Sequence, residues 1–159
     1  MAGADPSTAV GPLAFLVGTW EGEGVGGYPS LERDFAFGQR ATFTAYGKPV
    51  LEYESRTWAL DDGRPLHRET GFWRPQDDGG VEVTLALPTG IVEILVGRVT
   101  GQRIELTSDV VARSVTAKEV TAETRLYGLV GEELMYAADL AAVGQSLAPH
   151  VSARLRRVP

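Results

Sequence analysis

Apolar and polar positions alternate along most of the chain with a period of two. Phe35, Phe37, Ala41, Phe43 and Ala45 share one face of segment 35–45. Val81, Val83, Leu85 and Leu87 oppose Glu82, Thr84 and Ala86 in segment 81–87. This period is that of a strand with one face buried. Segments 50–59 (VLEYESRTWA), 66–74 (LHRETGFWR) and 91–99 (IVEILVGRV) are further strands by composition. DDGRP, PQDDGG, PTG and Thr100-Gly101 separate these runs as turns. QRIELTS, VVARSVT, AKEVTAETRLYG, LMYAADLAAV and HVSARLRR continue the series to the C-terminus. Residues 11–17, GPLAFLV, suggest a short helical turn, and residues 1–10 a loose, flexible terminus.

About ten strands succeed one another with no helix-length periodicity between them. Neighbours joined by short turns must run antiparallel. A sandwich or an up-and-down β-barrel accommodates them, and only closure removes the exposed edges. We expect an all-β, roughly ten-stranded antiparallel barrel, with residues 11–159 as one domain.

The chain has 159 residues, enough for one domain with its own core. Its net charge of −6 argues against nucleic acid as a partner. No apolar run approaches the roughly 20 residues of a membrane helix. The start, MAGADPSTAV, lacks the basic and apolar regions of a secretory signal. There are no cysteines, which excludes disulfides, thiolate metal sites and covalent haem attachment. Together these features point to the cytoplasm.

The stretch GTWEGEGVGGYPS contains Gly22-x-Gly24-x-x-Gly27, the letters of a dinucleotide fingerprint. That motif needs a helix after its last glycine, and here Tyr28-Pro29-Ser30 and a charged segment follow. A first barrel strand is the better reading, with Trp20, Gly22 and Gly24 on one face. Trp20 would plug a barrel end. The glycines would permit sharp curvature or let a flat ligand approach the backbone. No Gly-x-Ser-x-Gly elbow marks a hydrolase, and the paired aspartates precede glycines as turn residues do.

Gly18-x-Trp20-x-Gly22-x-Gly24 and Tyr28-Pro29-Ser30 are followed in order by Gly47-Lys48-Pro49, PLHRETGFWRP, PTGIVE, AKEVT, AAVGQ and Pro149-His150. From about residue 12 to the end this series resembles the nitrobindin family of small haem-binding β-barrels. The resemblance implies a ten-stranded barrel of the fatty-acid-binding, lipocalin-like shape, with haem b held non-covalently at its mouth. It implies isomerisation of peroxynitrite to nitrate and binding of nitric oxide. His150 corresponds to the proximal iron ligand. Ser30 stands where the family often has threonine and would lie close to the haem. His67 would sit on the open side without ligating, and Lys118 is a further haem contact. Trp20, Gly22 and Gly24 complete the set of candidate cofactor-binding residues.

The residues themselves leave some matters open. His67 and His150 are the only histidines. A strand histidine is ordinarily a surface residue or a satisfied core residue. In HVSARLRR plain alternation turns His150 outward with Ser152, Arg154 and Arg156. A bulge at Pro149 would reset that parity, and a position at the barrel rim would make it irrelevant. Arg154, Arg156 and Arg157 would pair with haem propionates or, more simply, form a solvated face. A barrel carrying a fatty acid or other apolar ligand, or a haem-based nitric oxide carrier or sensor, would show the same strand pattern. Glycine-rich strands would also permit a homodimer.

Overall fold

The structure, a computed structural model, describes residues 3–159. Ten strands follow in order: β1 (Gly18–Gly26), β2 (Phe35–Ala45), β3 (Leu51–Ala59), β4 (Pro65–Pro75), β5 (Gly80–Leu87), β6 (Ile91–Thr100), β7 (Arg103–Arg113), β8 (Val120–Val130), β9 (Glu133–Ala142) and β10 (Ala148–Val158). Each pairs antiparallel with its neighbours in sequence, and β1 closes the ring by pairing with β10. Trp20 stands opposite Arg157 on one side and Ala41 on the other. Among the described residues no helix is long and apolar enough to cross a membrane.

Alternation sets the inside. Phe37, Ala41 and Phe43 of β2 and Val81, Val83 and Leu85 of β5 are buried. The segments QRIELTS and VVARSVT, which read as two strands, form the single strand β7. Ile94 pairs with Val110 and Leu95 with Ser108, so Asp109 is a bulged extra residue that keeps the ladder continuous.

One end of the barrel is plugged. A 3-10 segment over Pro6–Leu16 starts from Asp5, whose carboxylate accepts the Ser7 N–H, with proline at the first position. Gly11, at φ 51°, kinks it before Pro12. Val10, Leu13 and Leu16 are fully buried against the barrel. The helical turn expected over residues 11–17 thus spans Pro6–Leu16. Residues 1 and 2 lie outside the described residues. Trp20 is buried beneath the plug and donates Nε1–H to the Leu16 carbonyl at 2.8 Å. Arg157 lies 4.4 Å from the centroid of the Trp20 ring and donates to the Phe15 carbonyl at 2.7 Å. This half is filled by Phe43, Leu51, Trp73, Val83, Leu95, Ile104, Leu106, Leu134 and Leu155. Edge-to-face contacts link Trp73 with Phe43 and Tyr127 at 5.4 and 5.2 Å. The other half is hollow.

Candidate functional site

The hollow half is a cavity of about 750 Å³, within the range of ligand pockets. Its mouth is built from the loops between strands: Tyr28, Ser30 and Arg33 after β1, Arg64 before β4, Thr89 between β5 and β6, Lys118 before β8 and Val143 after β9. Its wall is apolar, with Phe35, Phe37, Leu87, Ile91, Leu140 and Val151.

His150 reaches this cavity through a bulge. Pro149 pairs with Asp139 and Val151 with Ala138, which leaves His150 as the extra residue. Parity is reset there, so the histidine lines the cavity while Ala153 and Leu155 keep their inward places. The ring is locked from several sides. Nδ1 lies 3.0 Å from the Gly27 carbonyl oxygen, and the Gly27 N–H donates to the His150 carbonyl at 2.8 Å. A carbonyl only accepts, so Nδ1 carries a proton, and in the neutral ring the lone pair is on Nε2. Tyr28 and Phe35 hold the ring at centroid distances of 5.7 and 6.4 Å. Tyr28 is itself fastened across the mouth: its hydroxyl donates to the Leu140 carbonyl and accepts the Ala142 N–H, each at 2.8 Å.

His67 lies at the mouth on β4, on the same face as Glu69 and Trp73. Its Nε2 lies 3.1 Å from Glu69 Oε2. Glu69 begins a buried polar layer. Arg125 Nη1 and Nη2 donate to its two oxygens at 2.7 and 2.9 Å, and the Tyr53 hydroxyl adds a bond at 2.7 Å. Arg125 Nε donates to Glu123, and Nη1 also reaches the Tyr127 hydroxyl at 3.1 Å. Tyr136 donates to Gln39, whose amide donates to Ser55. Burial works to raise the Glu69 pKa. The charge and hydrogen bonds of Arg125, helped by His67, outweigh it and hold this carboxyl well below the usual carboxylate range. Glu93 goes the other way. Burial, followed by the hydrogen bond and charge of Glu123, pushes it up to about 9. Its Oε2 is buried without a hydrogen-bond partner.

Four of the candidate residues thus meet around one cavity: His150, His67, Ser30 and Lys118. Three do not. Trp20 belongs to the plugged end, where its N–H is already satisfied. A Cβ on Gly22 would overlap the Arg154 carbonyl, and one on Gly24 would overlap the Phe37 ring and the Ser152 carbonyl. These glycines therefore allow strands and aromatic rings to approach, with no ligand needed to explain them. Of the arginine cluster, Arg154 and Arg156 are exposed, as a solvated face requires, and Arg157 covers Trp20 at the plugged end. Besides the buried Arg125, the cavity's cations are Arg33, Arg64 and Lys118. Sequence reasoning missed the polar layer, although a signal existed. Glu69, Glu93, Glu123 and Arg125 all fall on the apolar face of their strands, beside Trp73, Leu95 and Tyr127.

Comparison with known proteins agrees with this geometry. Residues 9–157 match the family described as "THAP4-like, heme-binding beta-barrel domain". A protein of Frankia casuarinae named "Peroxynitrite isomerase" is 55% identical, over 92% of this chain and 84% of its own. A "Ferric nitrobindin-like protein" of Kineococcus radiotolerans is 48% identical, over 96% of this chain and 94% of its own. The crystal structure of Rv2717c from M. tuberculosis superposes with a TM-score of 0.85 at 44% identity, covering 98% of this chain and 99% of that one.

Proposed function

This chain belongs to the family of THAP4-like, heme-binding β-barrel domains, and from that premise we propose that it is a haem-dependent peroxynitrite isomerase. The cofactor is non-covalent haem b, since no cysteine is present for a thioether link. One observation carries the reading: His150 lines a large, mostly apolar cavity while its Nδ1–H is held by the Gly27 carbonyl, which leaves Nε2 as the ligating nitrogen of the neutral ring. An imidazole fixed in one tautomer by a backbone carbonyl is the donor that haem iron requires. The apolar wall suits a flat macrocycle, and Arg33, Arg64 and Lys118 at the mouth suit its carboxylates. When bound, ferric haem supplies a Lewis-acidic coordination position at which the peroxynitrite O–O bond breaks and a third N–O bond of nitrate forms.

The chain's own residues do the remaining work. His150 would hold the haem iron, and the rest of the cavity would admit an anion. The same cations at the mouth raise the local concentration of that anion. His67 borders the open side, and Glu69 fixes its ring by accepting from Nε2. Ser30 adds a hydroxyl at the mouth. The closed barrel limits water and keeps the fragments together until they recombine. Nitric oxide is a second ligand for the same open position.

Hemin titration of the wild type and of His150→Ala, followed by stopped-flow measurement of peroxynitrite decay and nitrate yield, tests the reading. The expected result is a saturable one-to-one Soret shift in the wild type, with accelerated decay to nitrate. His150→Ala should lose or alter that band, and lose the acceleration, while its circular dichroism stays unchanged. No specific shift in the wild type, or undiminished decay in the haem-loaded variant, would overturn the assignment.

A further inference from the structure

We propose that the acidic layer at the inner end of the cavity is a binding site for the ammonium head of an apolar primary amine, whose body lies along the aromatic and aliphatic wall. The site is built by Glu93 of β6, Glu123 and Arg125 of β8 and Glu69 of β4, the charged groups that face one another across the hollow half.

Charge is the first argument. Arg125 gives four of its five N–H groups to Glu69, Glu123 and the Tyr127 hydroxyl. One guanidinium faces two carboxylates, so the layer carries an excess negative charge even with Glu93 neutral. A carboxylate head placed at this layer would meet that excess, and the cations that could receive it, Arg33, Arg64 and Lys118, lie at the mouth instead. The second argument is the orphaned atom. Glu93 is 2% exposed and lines the cavity, and its Oε2 has no donor. A buried oxygen without a donor is costly, and a ligand that donates to it removes the cost. The third argument concerns shape. Among the described residues no group of acids and histidines is arranged to hold a metal ion. An ammonium group brings three N–H donors. It fits a site whose acceptors are Glu93 and Glu123 and whose approach is lined by Phe35, Phe37, Leu87 and Leu140.

Binding is coupled to a proton. Burial and Glu123 push the Glu93 pKa up to about 9, which keeps the carboxyl protonated at pH 7. An arriving ammonium stabilises the carboxylate, so Glu93 releases that proton to solvent and forms a charge-assisted bond. The amine and haem occupy one continuous cavity and exclude each other.

The test uses the full-length, haem-free chain, so that no amine can bind iron. Octylamine, octanol and octanoate are titrated calorimetrically at pH 7 in two buffers of different ionisation enthalpy, for wild type and Glu93→Gln. Octylamine should bind one-to-one, about tenfold or more tighter than octanol, with release of about one proton. Octanoate, whose head the cations at the mouth can receive, should bind without proton release and equally well in Glu93→Gln. Glu93→Gln should abolish the proton release and bring octylamine down to the octanol level. Unchanged octanol binding in that variant shows that the cavity is intact. Octanoate binding that falls together with octylamine in Glu93→Gln, amine binding without proton release, or full amine affinity in Glu93→Gln would each overturn the proposal. Hemin titration is scored separately. Amine binding without hemin binding would sink the isomerase reading alone, and the reverse would sink this one alone.

Discussion

Replacing Arg125 with methionine removes the cation that pairs with two buried carboxylates and holds the Glu69 carboxyl low. Glu69 and Glu123 are 4% and 6% exposed. Without Arg125, Glu69 keeps only Tyr53 and His67 as partners, and Glu123 loses its guanidinium. Breaking one partner out of a buried ion pair typically costs about 3–5 kcal/mol. With a urea slope of about 2 kcal/mol per molar, the unfolding midpoint should fall by about 2 M at pH 7. The pH dependence distinguishes this cause from lost packing. In the wild type Glu69 titrates below its unfolded value, so its stabilising contribution is present above that value and is lost as pH falls through the folded pKa. In the variant burial, opposed only by His67, raises the Glu69 carboxyl. The folded state then takes up a proton as the solution is acidified toward its unfolded pKa of about 4.5. The gap between variant and wild type should therefore be widest near neutrality and shrink toward pH 5. Urea denaturation of the haem-free chain at pH 7 and pH 5 measures it. Adding Glu69→Gln to Arg125→Met should recover part of the loss, because one stranded charge disappears. An equal gap at both pH values, or a loss below about 1 kcal/mol, would refute the account of the layer as an electrostatic unit.

Three further outcomes are expected. Glu93 is raised in the folded state, so its contribution is intact below its unfolded pKa and lost as pH climbs toward about 9. Glu93→Gln should thus gain on wild type by up to ~1.4 kcal/mol per pH unit across that window, read from denaturation midpoints at pH 5, 7 and 9; parallel curves would contradict it. Val143 at the mouth has φ 47°, a left-handed conformation that a β-branched residue resists, and it is 45% exposed. Val143→Asn should raise stability by about 0.5–1 kcal/mol, and a fall in Tm would show that its contacts matter more than its backbone. Gly71→Ala drives a Cβ into the Thr84 carbonyl of the neighbouring strand, whereas Gly128 has open space at that position. The first should lose about 1–3 kcal/mol and the second under about 0.5; similar thermal shifts for both would argue against close strand approach as the reason for Gly71.

The fold was legible because its cause is local. Period-two alternation names the inward residues of each strand, and short turns dictate antiparallel pairing between neighbours. Phe37, Phe43, Val81, Val83 and Leu85 are buried as that pattern requires. His150, Ser30, His67 and Lys118 were legible through ordered motifs, and they do border one cavity. Trp20, Gly22 and Gly24 were legible as a strand, but their motif carries no information about which end of the barrel they occupy. Position along the barrel axis depends on the register of all ten strands and on where the N-terminal segment docks.

Three matters were decided only by the tertiary structure. The direction of His150 hangs on a single bulge, and whether proline at 149 shifts the register depends on β9 as well as on β10. The polar layer joins residues from β4, β6 and β8, up to 56 positions apart. Each of its charges looks like a defect within its own strand, and only closure of the barrel shows them as partners. The plug depends on the same closure: Val10, Leu13 and Leu16 have an apolar surface to cover only once the strand ends form a ring. Alternation along one strand is set by the geometry of the peptide unit, so the sequence alone determines it. Contacts across the barrel are set by loop closure and register, which no single segment contains.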